Sequence, residues 1–233
     1  MEECILNYED LLKMLDNELK ESKQFWEDFY VDRTKDIPFF IVEGPDENLV
    51  EYFNKGFSPK RVLELGAGPG RNSIYMAKQG CNVSALDLSS NALDWAKERA
   101  DKEEVNLDFH CVSLFDFEYE QNSYDFIYDC GMFHHLAPHR RLTYLEIIKK
   151  ALKKDGYYGI VCFTTDGALN TPDWDIYKNK SLRGGIGYSE DRLKEIFKKD
   201  FNILDFRKMK KPVESDSLFG EEFLWTSLMQ IKG

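Results

Sequence analysis

Hydrophobic residues in the first sixty positions recur at the spacing of amphipathic helices. One apolar stripe runs over residues 4–20, and a second, rich in aromatic side chains, covers residues 25–30 before Pro38 ends the pattern. A third stripe begins at Pro45 and stops at Gly56. The pattern predicts an N-terminal helical segment over residues 1–57, set apart from the remainder of the chain.

From residue 58 onward, short apolar runs alternate with helical stripes. This alternation predicts a parallel sheet with right-handed crossovers and helices on both faces, a doubly wound α/β fold. Residues 165–188 lack an apolar period and predict a long loop, followed by a helix capped by Ser189. With no internal repeat or low-complexity linker, we expect one domain over residues 1–233, with its core at 58–233. The predicted strands are 61–65, 82–87, 106–112, 124–129, 157–163, 201–209 and 222–231.

The first predicted strand ends abruptly in glycines, in the stretch RVLELGAGPGRN at residues 61–72. Glycine lets a ligand approach the backbone closely, and the N–H groups at the start of the next helix form a binding edge. A dinucleotide fingerprint, G-x-G-x-x-G, would need a third glycine where Arg71 stands. Glu64 would repel a pyrophosphate, whereas it suits S-adenosylmethionine (SAM), whose two cationic groups outweigh its one carboxylate.

This E-x-G-x-G-x-G turn resembles the signature of the class I SAM-dependent methyltransferases. The resemblance runs from the turn to the C-terminus and implies a mostly parallel seven-stranded sheet with the last strand antiparallel. The N-terminal helical extension is similar to that of the thiopurine- and tellurite-methyltransferase branch, in residues Trp26, Tyr30, Arg33, Pro38 and Phe39. Small-molecule methyltransferases often cover their active site with such a segment, although a packed helix seam is the alternative.

Asp87 closes the second predicted strand, where a carboxylate can accept both ribose hydroxyls; helix capping is the alternative, for which Ser89 is better placed. The resemblance implies that Ser113 and Leu114 flank the adenine, with Asp116 either nearby or a turn residue. It also implies that Asp129 lies beside the methionine part of SAM, pairing with the ammonium or only capping its strand. The expected cofactor-binding residues are Glu64, Gly66, Ala67, Gly68, Gly70, Arg71, Asn72, Asp87, Leu88, Ser113, Leu114, Asp129 and Gly131.

Methyl transfer needs a nucleophile held in line with the departing sulfur, in a site cleared of water. A sulfur or selenium nucleophile needs no strong base, but an amine or hydroxyl must lose a proton. His134 and His135 are the candidate catalytic bases, with a packing role as the alternative. Ligands of open parallel sheets bind at the carboxyl ends of the strands, here between strands one and four. The expected substrate-binding residues are Trp26, Tyr30, Arg33, Trp174, Tyr177 and Arg183.

Composition narrows the remaining possibilities. The chain carries 31 basic and 42 acidic residues, and its net charge of −11 disfavours general nucleic-acid binding. Five widely spaced cysteines without a C-x-x-C pair favour reduced thiols in a cytoplasmic protein and indicate neither a metal site nor disulfides. No membrane span or signal peptide is expected. A small-molecule methyltransferase is the first hypothesis; the alternatives are a nicotinamide-dependent oxidoreductase and a non-catalytic SAM-binding protein.

Overall fold

The protein is described by a computed structural model over residues 4–19, 23–182, 184–213 and 217–233. Within these residues seven strands form one sheet: Arg61–Leu65 (β1), Asn82–Asp87 (β2), Asp108–Cys111 (β3), Tyr124–Cys130 (β4), Leu152–Phe163 (β5), Phe201–Lys208 (β6) and Leu224–Ile231 (β7). The accompanying helices are Tyr8–Glu18 (α1), Lys23–Phe29 (α2), Pro38–Ile41 (α3), Glu47–Asn54 (α4), Arg71–Lys78 (α5), Ser90–Lys102 (α6), Arg140–Ala151 (α7), Asp173–Asn179 (α8) and Glu190–Phe197 (α9).

The strand order across the sheet is β3-β2-β1-β4-β5-β7-β6. β1 to β5 are parallel, and β7 lies antiparallel between β5 and β6. The predicted fold, a mostly parallel sheet with its last strand antiparallel, is confirmed. β1 lies between β2 and β4, so that Leu65 pairs with Leu86 on one side and Asp129 on the other. The carboxyl ends of these three strands therefore meet at the point where the chain reverses its direction across the sheet.

Both faces of the sheet are buried, which explains why its central strands are nearly continuous apolar runs. Successive side chains of a strand point to opposite faces, and β1 divides in this way between two cores. One core joins Leu63 and Leu65 to α7 and α9, and the other joins Val62 to α4 and α5. Tyr144, Ile148, Leu193 and Phe197 fill the first core; Leu49, Tyr52, Met76, Phe126 and Tyr128 fill the second.

The N-terminal segment has two parts with different positions. Leu49 and Tyr52 of α4 are buried against the sheet in the same core as Val62. In contrast, α2 and α3 form a separate aromatic cluster with Ala92 of α6, which includes Tyr30 and Phe40. The part of residues 1–57 that is able to cover a site is therefore α1 to α3, while α4 supports the sheet.

Three elements differ from the sequence prediction. Pro38 begins α3 instead of ending the helical pattern, because proline fits the first turn of a helix, where its missing N–H has no partner to lose. Residues 165–188, predicted as a loop, contain α8, in which Ile176 is the one buried residue. A helix of this length with one buried side chain shows no apolar period, so its sequence carries no helical signal. β5 begins at Leu152, five residues before the predicted strand.

Candidate functional site

A cavity of about 870 Å³ lies at the carboxyl ends of β1, β2 and β4. Its floor is formed by the turns that follow these strands, and aromatic side chains of α2 and α3 stand over it. The core residues that line it include Glu64, Gly66, Ala67, Gly68, Arg71, Asn72, Asp87, Leu88, Val112, Ser113, Leu114, Cys130, Gly131, Met132, His134, His135, Arg140 and Phe163.

The glycine turn is shaped by close contacts on both of its sides. Gly68 has a φ of +52°, and a Cβ there would lie 3.0 Å from the hydroxyl oxygen of Tyr30, so glycine allows the N-terminal segment to approach the turn. Gly70 has a φ of +78°, and a Cβ there would meet the Cβ of Ala96 at 3.0 Å. Gly70 does not line the cavity, which contradicts its expected role as a cofactor contact. It allows α5 to pack closely against α6 instead.

Asp87 ties the glycine turn to the end of β2. Its Oδ2 accepts the N–H of Gly68 at 2.8 Å, and its Oδ1 accepts the N–H of Ser89 at 2.9 Å. Burial raises the pKa of Asp87, and these backbone donors oppose the rise by stabilising the carboxylate. The cap of α6 is Ser89, whose hydroxyl oxygen accepts the N–H of Ala92 at 3.2 Å. Asp87 is therefore not the helix cap, and its carboxylate lines the cavity.

Glu64 is 1 % exposed and accepts a hydrogen bond from the hydroxyl of Ser73. Burial raises the pKa of Glu64 to about 8, and the nearby charge of Asp46 adds to this rise. Glu64, expected from its sequence pattern to be a carboxylate, is therefore mostly protonated in the ligand-free protein at neutral pH. A cation beside it would favour its ionisation.

A buried polar network around Asp46 was missed in the sequence. Asp46 is fully buried; its Oδ1 accepts from Arg71 at 3.0 Å, and its Oδ2 accepts from Asn72 at 3.1 Å and from the Tyr128 hydroxyl at 2.7 Å. Arg71 and Asn72 line the cavity as predicted, yet their side chains hold the N-terminal segment against the glycine turn. Asp46 stands where a cap of α4 would be, although its side chain makes no capping bond. Nothing local distinguished it from an ordinary helix start.

Asp129, at the end of β4, is completely buried and does not line the cavity. Its Oδ1 accepts the N–H groups of Met132 at 2.8 Å and Phe133 at 3.2 Å, and its Oδ2 accepts the hydroxyl of Tyr144. Burial raises the pKa of Asp129 to about 7, against the effect of these donors. This burial and these bonds do not support pairing of Asp129 with the ammonium of SAM. They favour the alternative, in which this acid stabilises the turn after its own strand.

The turn after β3 supplies another wall of the cavity. Val112, Ser113 and Leu114 line it, while Asp116 does not. The hydroxyl oxygen of Ser113 accepts the N–H of Phe115 at 3.3 Å, which leaves its hydroxyl proton available as a donor. Asp116 donates its backbone N–H to the carbonyl of Ser113 at 3.0 Å, as expected of a turn residue.

Both candidate histidines line the cavity. The Nδ1 of His134 accepts the N–H of Phe163 at 3.3 Å, and burial together with His135 holds the pKa of His134 well below its usual range. His134 is thus neutral, with its proton on Nε2 and its Nδ1 lone pair engaged, an arrangement that does not favour the predicted role of a general base. The ring of His135 packs edge-on against Trp26 at 4.8 Å between centroids, and burial lowers its pKa to about 4.

The predicted substrate-binding residues divide into two groups. Trp26 and Tyr30 line the cavity. Arg33 does not, because its guanidinium pairs with Glu98 at 2.6 Å outside the cavity. Two predictions in the 165–188 segment are wrong as well, since Trp174 is 79 % exposed and the Tyr177 hydroxyl contacts His139 away from the cavity. Arg183 lies outside the described residues. Phe219 and Phe223, which precede β7, line the cavity without any sequence signal.

Carboxylates of the N-terminal helices hold the cover in place. Glu27 of α2 accepts the N–H groups of Ser90 at 3.0 Å and Asn91 at 3.2 Å at the start of α6. These donors outweigh desolvation and lower the pKa of Glu27 to about 2. Asp16 of α1 accepts the Nε of Arg140 at 3.0 Å, at the start of α7. Glu27 therefore pairs with the N-terminus of α6, in agreement with the helix dipole, and Asp16 forms an ion pair with the first residue of α7.

The sequence profile of a methyltransferase domain family matches residues 62–156, which contain the glycine turn, Asp87 and the turn after β4. A probable S-adenosyl-L-methionine-dependent methyltransferase, TehB of Haemophilus influenzae, is 30 % identical over 156 residues, covering 66 % of this chain and 50 % of that protein. Residues 62–156 therefore resemble a methyltransferase domain, and the resemblance to SAM-dependent methyltransferases that was stated from the sequence is confirmed. The chain spans about half the length of the curated relatives it matches.

Solved structures share the overall fold of this chain. A structure from work on the conversion of a disulfide bond into a thioacetal group during echinomycin biosynthesis has a TM-score of 0.69 at 18 % identity, over 90 % of this chain and 92 % of that one. The 1,6-didemethyltoxoflavin-N1-methyltransferase of Burkholderia thailandensis, crystallised with its substrate and S-adenosylhomocysteine, has a TM-score of 0.63 at 20 % identity, over 100 % and 94 %.

Two further features concern the described part of the chain. Its helices include none that is both long and apolar enough to cross a membrane. Within the described ranges, no group of three or more His, Cys, Asp or Glu side chains is arranged to hold a metal ion.

Proposed function

We propose that this chain transfers the methyl group of SAM to a small, largely apolar acceptor by in-line displacement. One observation carries the proposal: a single cavity joins the glycine turn and Asp87 to a wall of aromatic side chains. Its volume of about 870 Å³ is at the upper end of the range for ligand sites, roughly 300–1,000 Å³, which leaves room for an acceptor beside a cofactor. The acceptor wall consists of Trp26, Phe29, Phe39, Phe163, Phe219 and Phe223.

The polar and apolar groups that line the cavity fit the chemical groups of SAM. A carboxylate offers about four lone-pair sites, and Asp87 uses two of them for backbone N–H groups, so two remain for the ribose hydroxyls. Leu88, Val112 and Leu114 provide apolar surfaces for the adenine ring, and the Ser113 hydroxyl can donate to its edge. Glu64 is positioned under the turn, where it would ionise opposite a cation. We therefore propose these residues, with Gly66, Ala67, Gly68 and Gly131, as the cofactor contacts.

SAM supplies a methyl group that is activated by bonding to a positively charged sulfur. The protein residues have to bind and orient the acceptor and keep water away from the reacting atoms. The aromatic wall favours an apolar acceptor, and α1 to α3 close the cavity from above. In this proposal residues 58–233 form the core of one domain, and the helices preceding α4 form its cap.

Calorimetric titration with SAM, S-adenosylhomocysteine and NAD⁺ tests the cofactor. We expect both adenosyl compounds to bind and to raise the melting temperature, since a ligand selective for the native state stabilises it. Tighter binding of NAD⁺, or no shift at saturating SAM, would contradict the proposal. Release of S-adenosylhomocysteine in the presence of small aromatic acceptors then tests catalysis. Binding without turnover of any acceptor would instead indicate a non-catalytic SAM-binding protein.

A further inference from the structure

The imidazole of His134 is held in one orientation by its surroundings. Its Nδ1 accepts the N–H of Phe163, and its ring stacks on the Phe163 ring with centroids 3.8 Å apart and an interplanar angle of 32°. Gly185, with a φ of +133°, closes the other edge; a Cβ there would lie 3.3 Å from the Cδ2 of His134. The carbonyl of His134 also accepts the N–H of Ile186 at 2.8 Å. The ring is therefore fixed before any ligand binds.

This geometry leaves one polar atom of the ring unused. Because Nδ1 accepts a hydrogen bond, the proton of the neutral imidazole is on Nε2. Among the described residues none forms a hydrogen bond with Nε2, and His134 lines the cavity. The titratable group facing the ring from the described elements is His135, whose centroid is 4.4 Å away. His134 is accordingly a rigid, neutral hydrogen-bond donor at the cavity wall.

Among the described residues, the cationic side chains that line the cavity are already paired. Arg71 is bound to Asp46, and Arg140 is bound to Asp16 and Glu9. Their charges are thereby compensated within the described residues. His134 offers an electron-rich atom of an acceptor a neutral ring N–H donor beside the aromatic wall.

Building on the proposed function, we propose that His134 donates its Nε2–H hydrogen bond to the nucleophilic atom of the acceptor, and that this atom is an oxygen or sulfur bound as its anion. An amine has one lone pair, which it needs for the new bond to carbon, so a hydrogen bond from His134 would block attack. An anionic oxygen or sulfur has lone pairs for both. His134 then selects the kind of nucleophile and holds it in place, without accepting a proton.

The transfer is balanced without a base. One lone pair of the anionic oxygen or sulfur forms the bond to the methyl carbon, and the electron pair of the broken carbon–sulfur bond stays with the departing sulfur. The negative charge of the acceptor and the positive charge of the sulfonium disappear together. No proton moves to the protein, which agrees with a histidine whose Nδ1 lone pair is already engaged.

Two variants of His134 separate donation from packing. His134→Phe keeps a ring against Phe163 but removes the donor, whereas His134→Gln retains an amide N–H near the position of Nε2. The probes are 4-nitrothiophenolate, 4-nitrophenolate and 4-nitroaniline, measured as binding to the protein saturated with S-adenosylhomocysteine and as methyl transfer from SAM. We expect His134→Phe to weaken binding of one anionic probe roughly 10- to 100-fold, the loss of a hydrogen bond to a charged group. His134→Gln should recover most of that affinity.

The arms of this experiment have distinct meanings. Preference for the thiolate or for the phenolate shows whether the nucleophile is sulfur or oxygen. Methylation of 4-nitroaniline in preference to both anions would overturn the proposal, and so would equal affinity of the Phe variant and the unchanged protein. If the unchanged protein does not bind S-adenosylhomocysteine, that result would contradict the proposed function instead.

A measurement on the unchanged protein does not depend on how the variants fold. Nitrogen-15 NMR of the histidine side chains reports which ring nitrogen of His134 carries the proton, without cofactor or turnover. We expect Nε2 to be protonated and Nδ1 unprotonated, with no titration of His134 between about pH 6 and pH 8. A proton on Nδ1, or titration within that range, would overturn the inference while leaving the proposed methyl transfer intact.

Discussion

The ends of β2 and β4 look alike in sequence and differ in structure. Asp87 is the last residue of β2 and Asp129 the last but one of β4; both strands lie beside β1, and both aspartates are buried. Asp87 binds two backbone N–H groups and lines the cavity, whereas Asp129 binds two N–H groups and the Tyr144 hydroxyl and has no access to it. The difference lies in the turns that follow. An acid at a strand end can be a ligand only if its own turn leaves lone pairs facing the site.

Glu64, on the strand between them, is an intermediate case. It lines the cavity like Asp87, but it is as deeply buried as Asp129 and its pKa is raised to about 8. Proximity to a ligand thus sets the possible role of an acid, while burial sets its charge in the absence of that ligand.

The largest effect in this comparison is expected for Asp129→Ala. It would leave two buried N–H groups and the hydroxyl of Tyr144 without an acceptor, where no water reaches them. At about 1–3 kcal/mol for each unsatisfied buried group, partly relieved by relaxation, the free energy of unfolding should fall by about 3–5 kcal/mol. Urea denaturation measures it, with Asp129→Asn as the matched control that keeps an acceptor and should lose less. A loss below about 1 kcal/mol would show that Asp129 does not hold this turn.

Asp87→Ala is expected to act mainly on ligand binding. The ribose hydroxyls of SAM would lose their acceptors, and the dissociation constant should rise by the equivalent of roughly 1–3 kcal/mol. Stability should fall less than in Asp129→Ala, because Gly68 lines the cavity and water there can reach its N–H group. Calorimetric titration gives the affinity. An unchanged dissociation constant would show that Asp87 is not the ribose ligand.

Glu64 should make SAM binding depend on pH. Its pKa of about 8 means that the free protein binds a proton at pH 7, and a neighbouring cation favours loss of that proton. Affinity should therefore rise with pH, by up to about tenfold per unit below pH 8, and level off above it. Titration in buffers of different ionisation enthalpy detects the released proton. Glu64→Gln should abolish the dependence; its persistence there would assign the proton to another group.

The smallest effects on acceptor binding are expected for the predicted substrate residues that lie outside the cavity. Trp174 is exposed and Arg33 pairs with Glu98, both outside the cavity. Trp174→Ala and Arg33→Ala should each change the free energy of acceptor binding by less than about 0.5 kcal/mol, as ordinary surface substitutions do. Trp26→Ala, at the cavity wall, should raise KM for an aromatic acceptor severalfold. A larger effect of Trp174→Ala than of Trp26→Ala would reverse the assignment.

Local pattern was sufficient for much of the fold and part of the site. The apolar run of β1, its glycine turn, Asp87 and the Ser89 cap are adjacent in sequence, so their geometry follows from nearby residues. The antiparallel last strand, β7, was predicted through the family resemblance. In contrast, α8 was missed and Trp174 and Tyr177 were misplaced, since their positions depend on how a segment without apolar period packs.

The amino-acid sequence by itself determined where strands and helices alternate and which turn could receive a cationic nucleotide, because these depend on short-range periodicity and on glycine at defined positions. Only the tertiary structure decided which acids face the cavity, that Asp46 joins the start of α4 to the glycine turn, and that Nδ1 of His134 accepts a hydrogen bond. Each of these outcomes depends on hydrogen bonds and burial between residues far apart in the chain, such as Asp46 with Tyr128 and His134 with Phe163.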